Sequence, residues 1–423
     1  MRASRAGAVQ RVHDRGVRLV DVDDIRAASR LLSGVVRLTP THGSVALGAA
    51  AGGPVRLKCE NLQRTGSFKI RGAYVRLARM ARRERGRGVV AASAGNHAQG
   101  VAMAATLLGA RAVVFMPAGT PIPKVEATRG YGAEVRFSGT TLDEALEAAR
   151  EYAARSGAVL VHPFDHPDVI AGQGTVGLEI AAQCPDARTV LVPTGGGGLV
   201  SGVGVAVKAL CPAARVVGVQ AAGAAAWPPS LQAGRPRRLA EMATMADGIA
   251  VGCPGEVTFA HVRACVDDIV TVSDEAISRA LLVCLERAKL LVEPAGAAAA
   301  AAVLDAPSGR FEPPVVALLS GGNIDPLLLS RVLRHGLVAA GRFLVLRVLV
   351  PDRPGSLVAL LEVLARAGAN VADVEHLRTE AHLHLDEVEV TVQVETRGSE
   401  HAAEVLASLR RSGYQPREVG AAR

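Results

Sequence analysis

A single lysine stands between two apolar residues in the stretch GSFKIRGA, residues 66–73. Lys69 follows a glycine-serine turn, and its neighbours Phe68 and Ile70 can desolvate the amine and lower its pKa. Such a lysine can act as a base or as a Schiff-base amine, which arginine cannot. The alternative is an ordinary surface lysine at the end of an element.

The other four lysines have settings that favour chemistry less. Lys58 lies in the strand-like stretch VRLKCE, Lys124 opens a helix, Lys208 lies within a helix, and Lys289 lies in ERAKLLVEP. None of them combines a turn with flanking apolar residues. Lys69 is therefore the candidate reactive amine.

A phosphate-binding loop is indicated by GGGGL, Gly195–Leu199, after the strand-like TVLVPT. Consecutive glycines let several backbone N–H groups point at one centre, and a helix start follows. It is neither a Walker A loop nor a dinucleotide fingerprint, since Val200 takes the place of the last glycine. The alternative is a flexible turn, but ligand approach explains the entropic cost of four glycines better.

Two further loops carry polar groups at predicted strand ends. In SAGNHAQG (93–100), Ser93, the amides of Gly95 and Asn96, and Gln99 could receive a carboxylate. Asn96 could also donate to a phenolate-like oxygen. His97 could serve as a base, although a packed histidine is the stronger interpretation.

The loop SGGN, Ser320–Asn323, offers a hydroxyl that could meet a ring edge, and a plain turn is its alternative. Glu293, in EPAG, could be an acid near a site or could cap the alanine-rich helix that follows.

A lysine, a phosphate loop, a carboxylate loop and a neutral ring partner are the parts that hold pyridoxal phosphate as a Schiff base. An amino acid would be the substrate.

The elements that position these loops alternate from about residue 55 to 325. Short β-rich runs, each buried on both faces, alternate with alanine-rich helices, which predicts an open parallel α/β sheet. Ligands bind at the carboxyl ends of such strands. The predicted strands lie in the segments GVVAAS (88–93), ARAVVFM (110–116), AEVRFSG (133–139), AVLVHPF (158–164), TVLVPTG (189–195), RVVGVQ (215–220) and PVVALLS (314–320).

After about residue 340 the pattern becomes β-α-β-β-α-β, with a last short strand near Tyr414. This order predicts a small α+β ferredoxin-like module. We therefore expect a disordered lead-in over 1–19, a large α/β domain over 20–335 and this small module over 341–423.

The composition argues against several classes of protein. The net charge of +8 comes from dispersed arginines with few aromatics, so we expect no nucleic-acid partner. No uncharged apolar run reaches ~18–20 residues, so we expect no membrane span. The six cysteines form no CxxC pair, which favours reduced thiols in the cytoplasm. In and directly after HPFDH (162–166), Pro163 and Pro167 prevent a shared helical face, and we expect no metal there.

In this order, GSFKIRGA, SAGNHAQG, HPFD, VIAGQGT, GGGGL, EPAGA and SGGN resemble the threonine dehydratase (threonine ammonia-lyase) family of pyridoxal-phosphate enzymes. The resemblance covers roughly 20 to 335. It implies two open parallel-sheet subdomains of fold type II, the smaller over roughly 60–165. The terminal module, with DRPGSL, resembles a single ACT regulatory domain.

The resemblance also implies roles for individual residues. Lys69 would hold the cofactor and abstract the substrate Cα proton, Asn96 would bond the cofactor 3′-oxygen, and neutral Ser320 would face the pyridine nitrogen, favouring β-elimination. The implied cofactor-binding residues are Lys69, Phe68, Asn96, Gly195, Gly196, Gly197, Gly198, Leu199 and Ser320. The implied substrate-binding residues are Ser93, Ala94, Gly95, Asn96 and His97.

Two departures from the pattern of related enzymes narrow the set of possible functions. Related serine racemases have a second serine at the position of Ala94, so racemisation should be poor here. Some relatives bind a divalent cation through an acidic residue after the strand at 215–220, where this chain has no carboxylate.

The expected reaction is deamination of L-threonine to 2-oxobutanoate and ammonia, and of L-serine to pyruvate. A serine racemase, a hydroxyaspartate ammonia-lyase and a catalytically inert amino-acid sensor remain alternatives.

The terminal module is expected to bind an amino-acid effector. Asp352, Gly355 and Ser356 lead into a helix start that suits an amino acid's charged ends, and Asn370 could reach the same place. Such modules pair across subunits, so a homodimer or homotetramer is expected. The sequence leaves open whether the role is isoleucine synthesis or threonine breakdown.

Overall fold

The structure, a computed structural model, describes residues 18–307, 309–377 and 386–419. Nearly all of the predicted lead-in over 1–19 lies outside the described residues. The chain forms two compact units, Met1–Pro326 and Leu327–Arg423.

Two sheets form the framework of the first unit. The larger runs in the order β1-β2-β10-β7-β8-β9 and the smaller in the order β5-β4-β3-β6. Every pairing is parallel except that of β1 with β2. The strands are β1 (Thr41–Gly43), β2 (Val55–Cys59), β3 (Val89–Ala92), β4 (Ala112–Met116), β5 (Glu134–Phe137), β6 (Val159–Leu160), β7 (Thr189–Pro193), β8 (Arg215–Ala221), β9 (Asp268–Val272) and β10 (Val315–Leu319).

Helices pack against both sheets. They are α1 (Val22–Leu31), α2 (Val45–Ala51), α3 (Lys69–Arg79), α4 (Arg82–Gly86), α5 (Asn96–Leu107), α6 (Ile122–Gly130), α7 (Leu142–Ser156), α8 (Pro167–Gln183), α9 (Gly198–Leu210), α10 (Trp227–Gln232), α11 (Glu256–Cys265), α12 (Asp274–Val283) and α13 (Pro294–Asp305). The sequence specifies their ends locally. At α7, for example, the Thr141 hydroxyl caps the Glu144 amide and the Glu144 carboxylate returns to the Thr141 amide.

The central strands β3, β4, β7 and β10 are buried along their whole length, as expected of strands covered on both faces. Helices α8 and α9 cross closely because Gly202 of α9 lies against the backbone of Gly174 in α8, where a Cβ would collide. This crossing fixes the start of α9, which follows the four-glycine loop.

The α/β prediction is confirmed, and two details differ. The predicted strand in AVLVHPF shortens to β6, because the chain turns at His162, whose Nδ1 accepts the Asp165 amide at 2.8 Å. Strands β1 and β9 were not predicted. Strand β9 is only partly buried and carries Asp268 and Thr271, so it lacks the apolar run of its neighbours.

The second unit has a four-stranded antiparallel sheet in the order β12-β13-β11-β14. Its elements are α14 (Pro326–Ala339), β11 (Phe343–Pro351), α15 (Ser356–Arg366), β12 (Asn370–Leu377), β13 (Glu387–Glu395), α16 (Ser399–Arg411) and β14 (Arg417–Glu418). Alternate residues of β11 and β13 bury against α15 and α16, which confirms the predicted α+β module. Within the described residues, no helix has the length and apolar character that crossing a bilayer requires.

Candidate active site

Lys69 is the first residue of α3, directly after the turn that the sequence suggested. Its Nζ donates to the Pro163 carbonyl oxygen at 3.2 Å and lies 5.2 Å from the centre of the Phe68 ring. Burial lowers the pKa of Lys69 to about 8, and the Glu293 carboxylate acts in the opposite direction. The amine therefore loses its proton more readily than an exposed lysine does.

Each of the other lysines is differently engaged. Lys58 is fully buried in an ion pair with Glu179, while Lys124 and Lys208 pair with Asp247 and Asp267. Lys289 is exposed and donates to a backbone carbonyl. Apart from exposed Lys289, Lys69 is thus the one lysine without a carboxylate within ion-pair distance among the described residues.

A buried ionic network fixes the first turn of α3 behind Lys69. Arg71 donates twice to the Glu60 carboxylate, both at 2.8 Å, and pairs with Glu179 at 2.7 Å. Glu179 also accepts from Lys58 Nζ at 2.6 Å. Removing one charge would leave the others buried and unmatched, so the network restrains α3, and with it Lys69, against β2 and α8.

In the four-glycine loop, the carbonyl groups of Gly195 and Gly196 point to one side of the chain, and the amides that follow them point to the other. The Gly195 carbonyl accepts Trp227 Nε1 at 2.7 Å, and the Gly196 carbonyl accepts Thr258 Oγ1 at 2.7 Å. Because a trans peptide sets its N–H opposite its C=O, the Gly196 and Gly197 amides point to the other side. None of the amides from Gly195 to Leu199 has an acceptor among the described residues.

This set of unpaired amides fits a phosphate group. They precede and begin α9, whose N-terminus carries partial positive charge. Only glycine fits at the turn itself: Gly197 has φ of 98°, and a Cβ there would meet Trp227 and Thr258. The chain therefore provides the donors and the close backbone approach that a phosphorylated cofactor needs.

The carboxylate loop lies between β3 and α5. Ser93 Oγ accepts the Gly95 amide at 3.2 Å, which shapes the turn, and Ser93, Ala94, Gly95 and Asn96 are all partly accessible. His97 is buried instead, with Nε2 2.8 Å from the Val161 carbonyl oxygen. Burial and the Lys69 charge lower the pKa of His97 to about 3, so its imidazole is neutral at physiological pH.

Asn96 is held from both sides by residues far away in sequence. Its Nδ2 donates to Glu293 Oε1 at 2.6 Å, and its Oδ1 accepts Asn323 Nδ2 at 2.8 Å. Asn323 also donates to the Thr65 carbonyl at 2.6 Å. One N–H of Asn96 remains for a ligand, so the amide orientation is set before anything binds.

The structure decides between the two interpretations of Glu293 in EPAG, an acid near a site or a cap of the following helix. It occupies the N-cap position of α13, yet its side chain makes no capping bond and turns to Asn96 instead. Burial raises the pKa of Glu293 to about 7, with Asp247 adding to the rise and Asn96, Lys124 and Lys69 opposing it. Neither this contact nor the role of Asn323 was predicted, although both residues lie in motifs that the sequence singled out.

Glu293→Gln should change stability in a pH-dependent way. The folded pKa of about 7 exceeds the ordinary value of 4.5, so the unfolded chain ionises first and the wild type loses stability as pH rises between these values. Glutamine keeps an acceptor for Asn96 but cannot ionise. Relative to wild type, the variant should gain up to about 3 kcal/mol in free energy of unfolding between pH 5 and pH 8.

Urea unfolding at both pH values measures this gain. Glu126→Gln, which changes an exposed glutamate on α6, controls for the substitution itself. A stability difference between Glu293→Gln and wild type that is the same at pH 5 and pH 8 would contradict the prediction.

Ser320 follows β10 and is almost fully buried. Its carbonyl accepts the Phe68 amide at 3.3 Å, and the next residue, Gly321, forms a bridge with Ser67. The Ser320 hydroxyl makes no hydrogen bond to another described residue, so it is available to a ligand.

Direct contacts bring the predicted residues together. Phe68 joins Lys69 to Ser320, and Pro163 and Phe164 join Lys69 to the four-glycine loop, since Phe164 lies where a Cβ on Gly196 or Gly198 would fall. In the described parts of the chain, no group of three His, Cys, Asp or Glu side chains is placed to bind a metal ion.

Comparisons with known proteins agree with this geometry. Residues 32–321 match the family described as pyridoxal-phosphate dependent enzyme, and residues 344–411 match the ACT domain. The chain is 46% identical over 402 residues to L-threonine ammonia-lyase of Thermotoga maritima, covering 95% of this chain and 100% of that protein.

Solved structures are also similar. The processed form of threonine deaminase isoform 2 from Solanum lycopersicum has a TM-score of 0.69 and 36% identity, covering 75% of this chain and 94% of that one. Maize serine racemase has a TM-score of 0.71 and 36% identity, covering 74% of this chain and 96% of that one. The protein therefore belongs to the family of pyridoxal-phosphate dependent enzymes, with an ACT domain at its C-terminal end.

Proposed function

We propose that this enzyme is a threonine ammonia-lyase, which deaminates L-threonine to 2-oxobutanoate and ammonia and also converts L-serine to pyruvate. The observation that carries the proposal is the convergence of Lys69, the unpaired amides of the four-glycine loop and the uncharged Ser320. The 46% identity to a protein of this activity supports it. Pyridoxal 5′-phosphate supplies an electron sink for negative charge at the substrate Cα.

The chain's own residues then have separate tasks. Lys69 would hold the cofactor and take the Cα proton, for which its lowered pKa suits it. The amides of Gly195 to Leu199 would bind the phosphate, Phe68 would lie beside the cofactor, and the remaining Asn96 N–H would donate to the cofactor 3′-oxygen. Ser320 would be the neutral partner of the ring nitrogen.

The loop from Ser93 to His97 receives the substrate carboxylate. Ser93, Ala94, Gly95 and Asn96 are partly accessible, whereas His97 supports the loop by its bond to Val161. The Cα proton and the β-hydroxyl together would leave as one molecule of water. Hydrolysis of the resulting enamine, which takes up one water, would give the 2-oxo acid and ammonia.

A 2-oxo-acid assay tests the proposal directly. The purified enzyme with pyridoxal phosphate should form 2-oxobutanoate from L-threonine and pyruvate from L-serine, with ammonia in equal amount. Product from 3-hydroxyaspartate alone would favour the hydroxyaspartate ammonia-lyase. An absorbance band of bound cofactor near the visible edge without turnover of any of these would favour an inert sensor.

Serine racemase is a second candidate because the maize enzyme is structurally similar. Ala94 argues against it, since the resemblance assigns the opposite-face proton donor to a serine at this position. Ala94→Ser should leave threonine deamination within about threefold of wild type and should raise the rate of D-serine formation, by up to the ~10²-fold effect of one acid-base group. Chiral chromatography of residual serine measures this, and equal D-serine yields from both proteins would remove the argument.

Further properties follow from the same assignment. We place the catalytic domain at 20–335, its small subdomain at roughly 60–165 and the regulatory domain at 341–423. A homo-oligomer is proposed because ACT-like modules pair across subunits. The free thiols of all six cysteines suit the cytoplasm. Whether the enzyme serves isoleucine synthesis can be read from inhibition by isoleucine.

A further inference from the structure

The carboxylate of Glu293 lies among three segments that are distant in the sequence. Its Oε1 accepts Asn96 Nδ2 at 2.6 Å, from the loop after β3. The Glu293 amide donates to the Gly321 carbonyl at 3.0 Å, in the loop after β10. A Cβ on Gly321 would collide with Oε1, and a Cβ on Gly248 would lie in van der Waals contact with the same oxygen. Glycine at position 321 therefore leaves the room that this carboxylate occupies.

Two structural roles that would explain a buried glutamate are missing here. Glu293 occupies the N-cap position of α13, but its side chain makes no capping bond. No lysine, arginine or histidine lies within ion-pair distance of it among the described residues. Its one side-chain hydrogen bond within the part of the chain that the structure describes goes to Asn96. Because burying an unpaired carboxylate costs stability, the contact with Asn96 calls for a functional explanation.

The side-chain amide of Asn96 connects Glu293 to the cofactor position. Its nitrogen carries two N–H groups, of which Glu293 accepts one, and its Oδ1 accepts Asn323 Nδ2 at 2.8 Å, which prevents a flip of the amide. Both N–H groups share one nitrogen, so the charge on the first acceptor changes the strength of the second donor. An ionised Glu293 makes the second N–H a weaker donor, and a protonated Glu293 makes it a stronger one.

We infer that Glu293 is a positioning residue that acts on the cofactor through Asn96. It fixes the orientation of the Asn96 amide, and its ionisation sets how strongly Asn96 donates to the cofactor 3′-oxygen. The inference deepens the proposed function, from which the position of the 3′-oxygen is taken.

The charges around Glu293 place its ionisation near neutral pH. Burial raises the pKa of Glu293 to about 7, and Asp247 acts in the same direction. Asn96, Lys124 and Lys69 oppose this rise. Lys124 and Asp247 form an ion pair at 2.6 Å, so their effects on Glu293 largely cancel. Glu293 is therefore mostly protonated at about pH 6 and mostly ionised at about pH 8.

A pH titration of the holoenzyme, followed by the absorbance of the bound cofactor, tests the effect of the charge. Wild type should show a spectral change with a midpoint near pH 7, because the stronger Asn96 bond at lower pH stabilises negative charge on the 3′-oxygen. Glu293→Gln keeps an acceptor for Asn96 but cannot ionise, so this change should disappear. Asp305→Asn, which alters an exposed carboxylate at the other end of α13, is the matched control and should titrate as wild type does.

A double-mutant cycle shows whether Glu293 acts through Asn96. Glu293→Leu removes the acceptor and should weaken binding of pyridoxal phosphate to the apoenzyme roughly tenfold. In the Asn96→Ala background the same change should alter the affinity by less than about threefold, since no side-chain amide remains to be held. Equal effects in the two backgrounds would overturn the role of Asn96 as the connection.

Two results of the pH titration would also overturn the inference. They are a midpoint near pH 7 that persists in Glu293→Gln, and a wild-type spectrum that stays constant between about pH 5.5 and pH 8.5. A stability change in Glu293→Gln with an unchanged titration would make Glu293 a structural residue only. None of these readouts needs turnover, so failure of the proposed function is seen separately, as absence of product from wild type in the 2-oxo-acid assay.

Discussion

Lys69→Ala should lower threonine deamination by on the order of 10³-fold or more while leaving the fold intact. The variant removes the amine that takes the Cα proton and holds the cofactor. Among the described residues Lys69 makes no ion pair, and its one hydrogen bond goes to a loop carbonyl, so its loss breaks no close charge pair. Thermal unfolding of the variant without cofactor should therefore resemble that of wild type.

Two measurements distinguish loss of the reactive amine from loss of the folded structure. Borohydride should fix the cofactor covalently to wild type, at the peptide that contains Lys69, and should fix none to the variant. Lys208→Ala, which breaks an outer ion pair with Asp267, is the control and should keep both the activity and the label. Labelling of another lysine in Lys69→Ala, with turnover retained, would refute the assignment.

The sequence predicted those parts of the site that depend on neighbouring residues. A glycine run between a strand and a helix predicts unpaired amides, because the backbone alone determines where they point. A lysine beside two apolar residues predicts a desolvated amine, and the lowered pKa of Lys69 follows from the same burial. The capping box of α7 is predictable for the same reason.

Contacts between distant parts of the chain were not predictable in this way. Asn96 bonds to Glu293 and Asn323, which are 197 and 227 positions away. No periodicity or spacing encodes such a pair. Proximity arises only when the loops after β3 and β10 and the start of α13 meet in the folded chain.

The ionic network of Lys58, Glu60, Arg71 and Glu179 was missed for a related reason. Charged residues normally indicate surface, and the sequence identified Lys58 only as part of the strand-like stretch VRLKCE. Its complete burial depends on Glu179, which lies 121 positions later in the chain. Burial of a charge is a property of the partners, which the local sequence does not contain.

Gly197→Ala should weaken cofactor binding more than an alanine substitution at any other glycine of the loop. A side chain at φ of 98° is strained, and the new Cβ would also press on Trp227, which is fully buried and stacked on Phe259. Relief requires the Gly197 peptide to rotate, which turns amides away from the phosphate position. Strain and overpacking of about 1–3 kcal/mol each sum to about 2–6 kcal/mol, which predicts a loss of affinity of roughly 30-fold to 10⁴-fold.

Titration of the apoenzyme with pyridoxal phosphate, followed by cofactor absorbance, measures this loss. Gly109→Ala separates the two causes, because Gly109 also has positive φ but nothing within 4 Å of its Cβ position. The control should lose stability from strain alone and keep its cofactor affinity. Equal affinity in Gly197→Ala and wild type would mean that the amides of this loop do not bind the phosphate, since rotation of the Gly197 peptide cannot leave a phosphate bound by these amides unaffected.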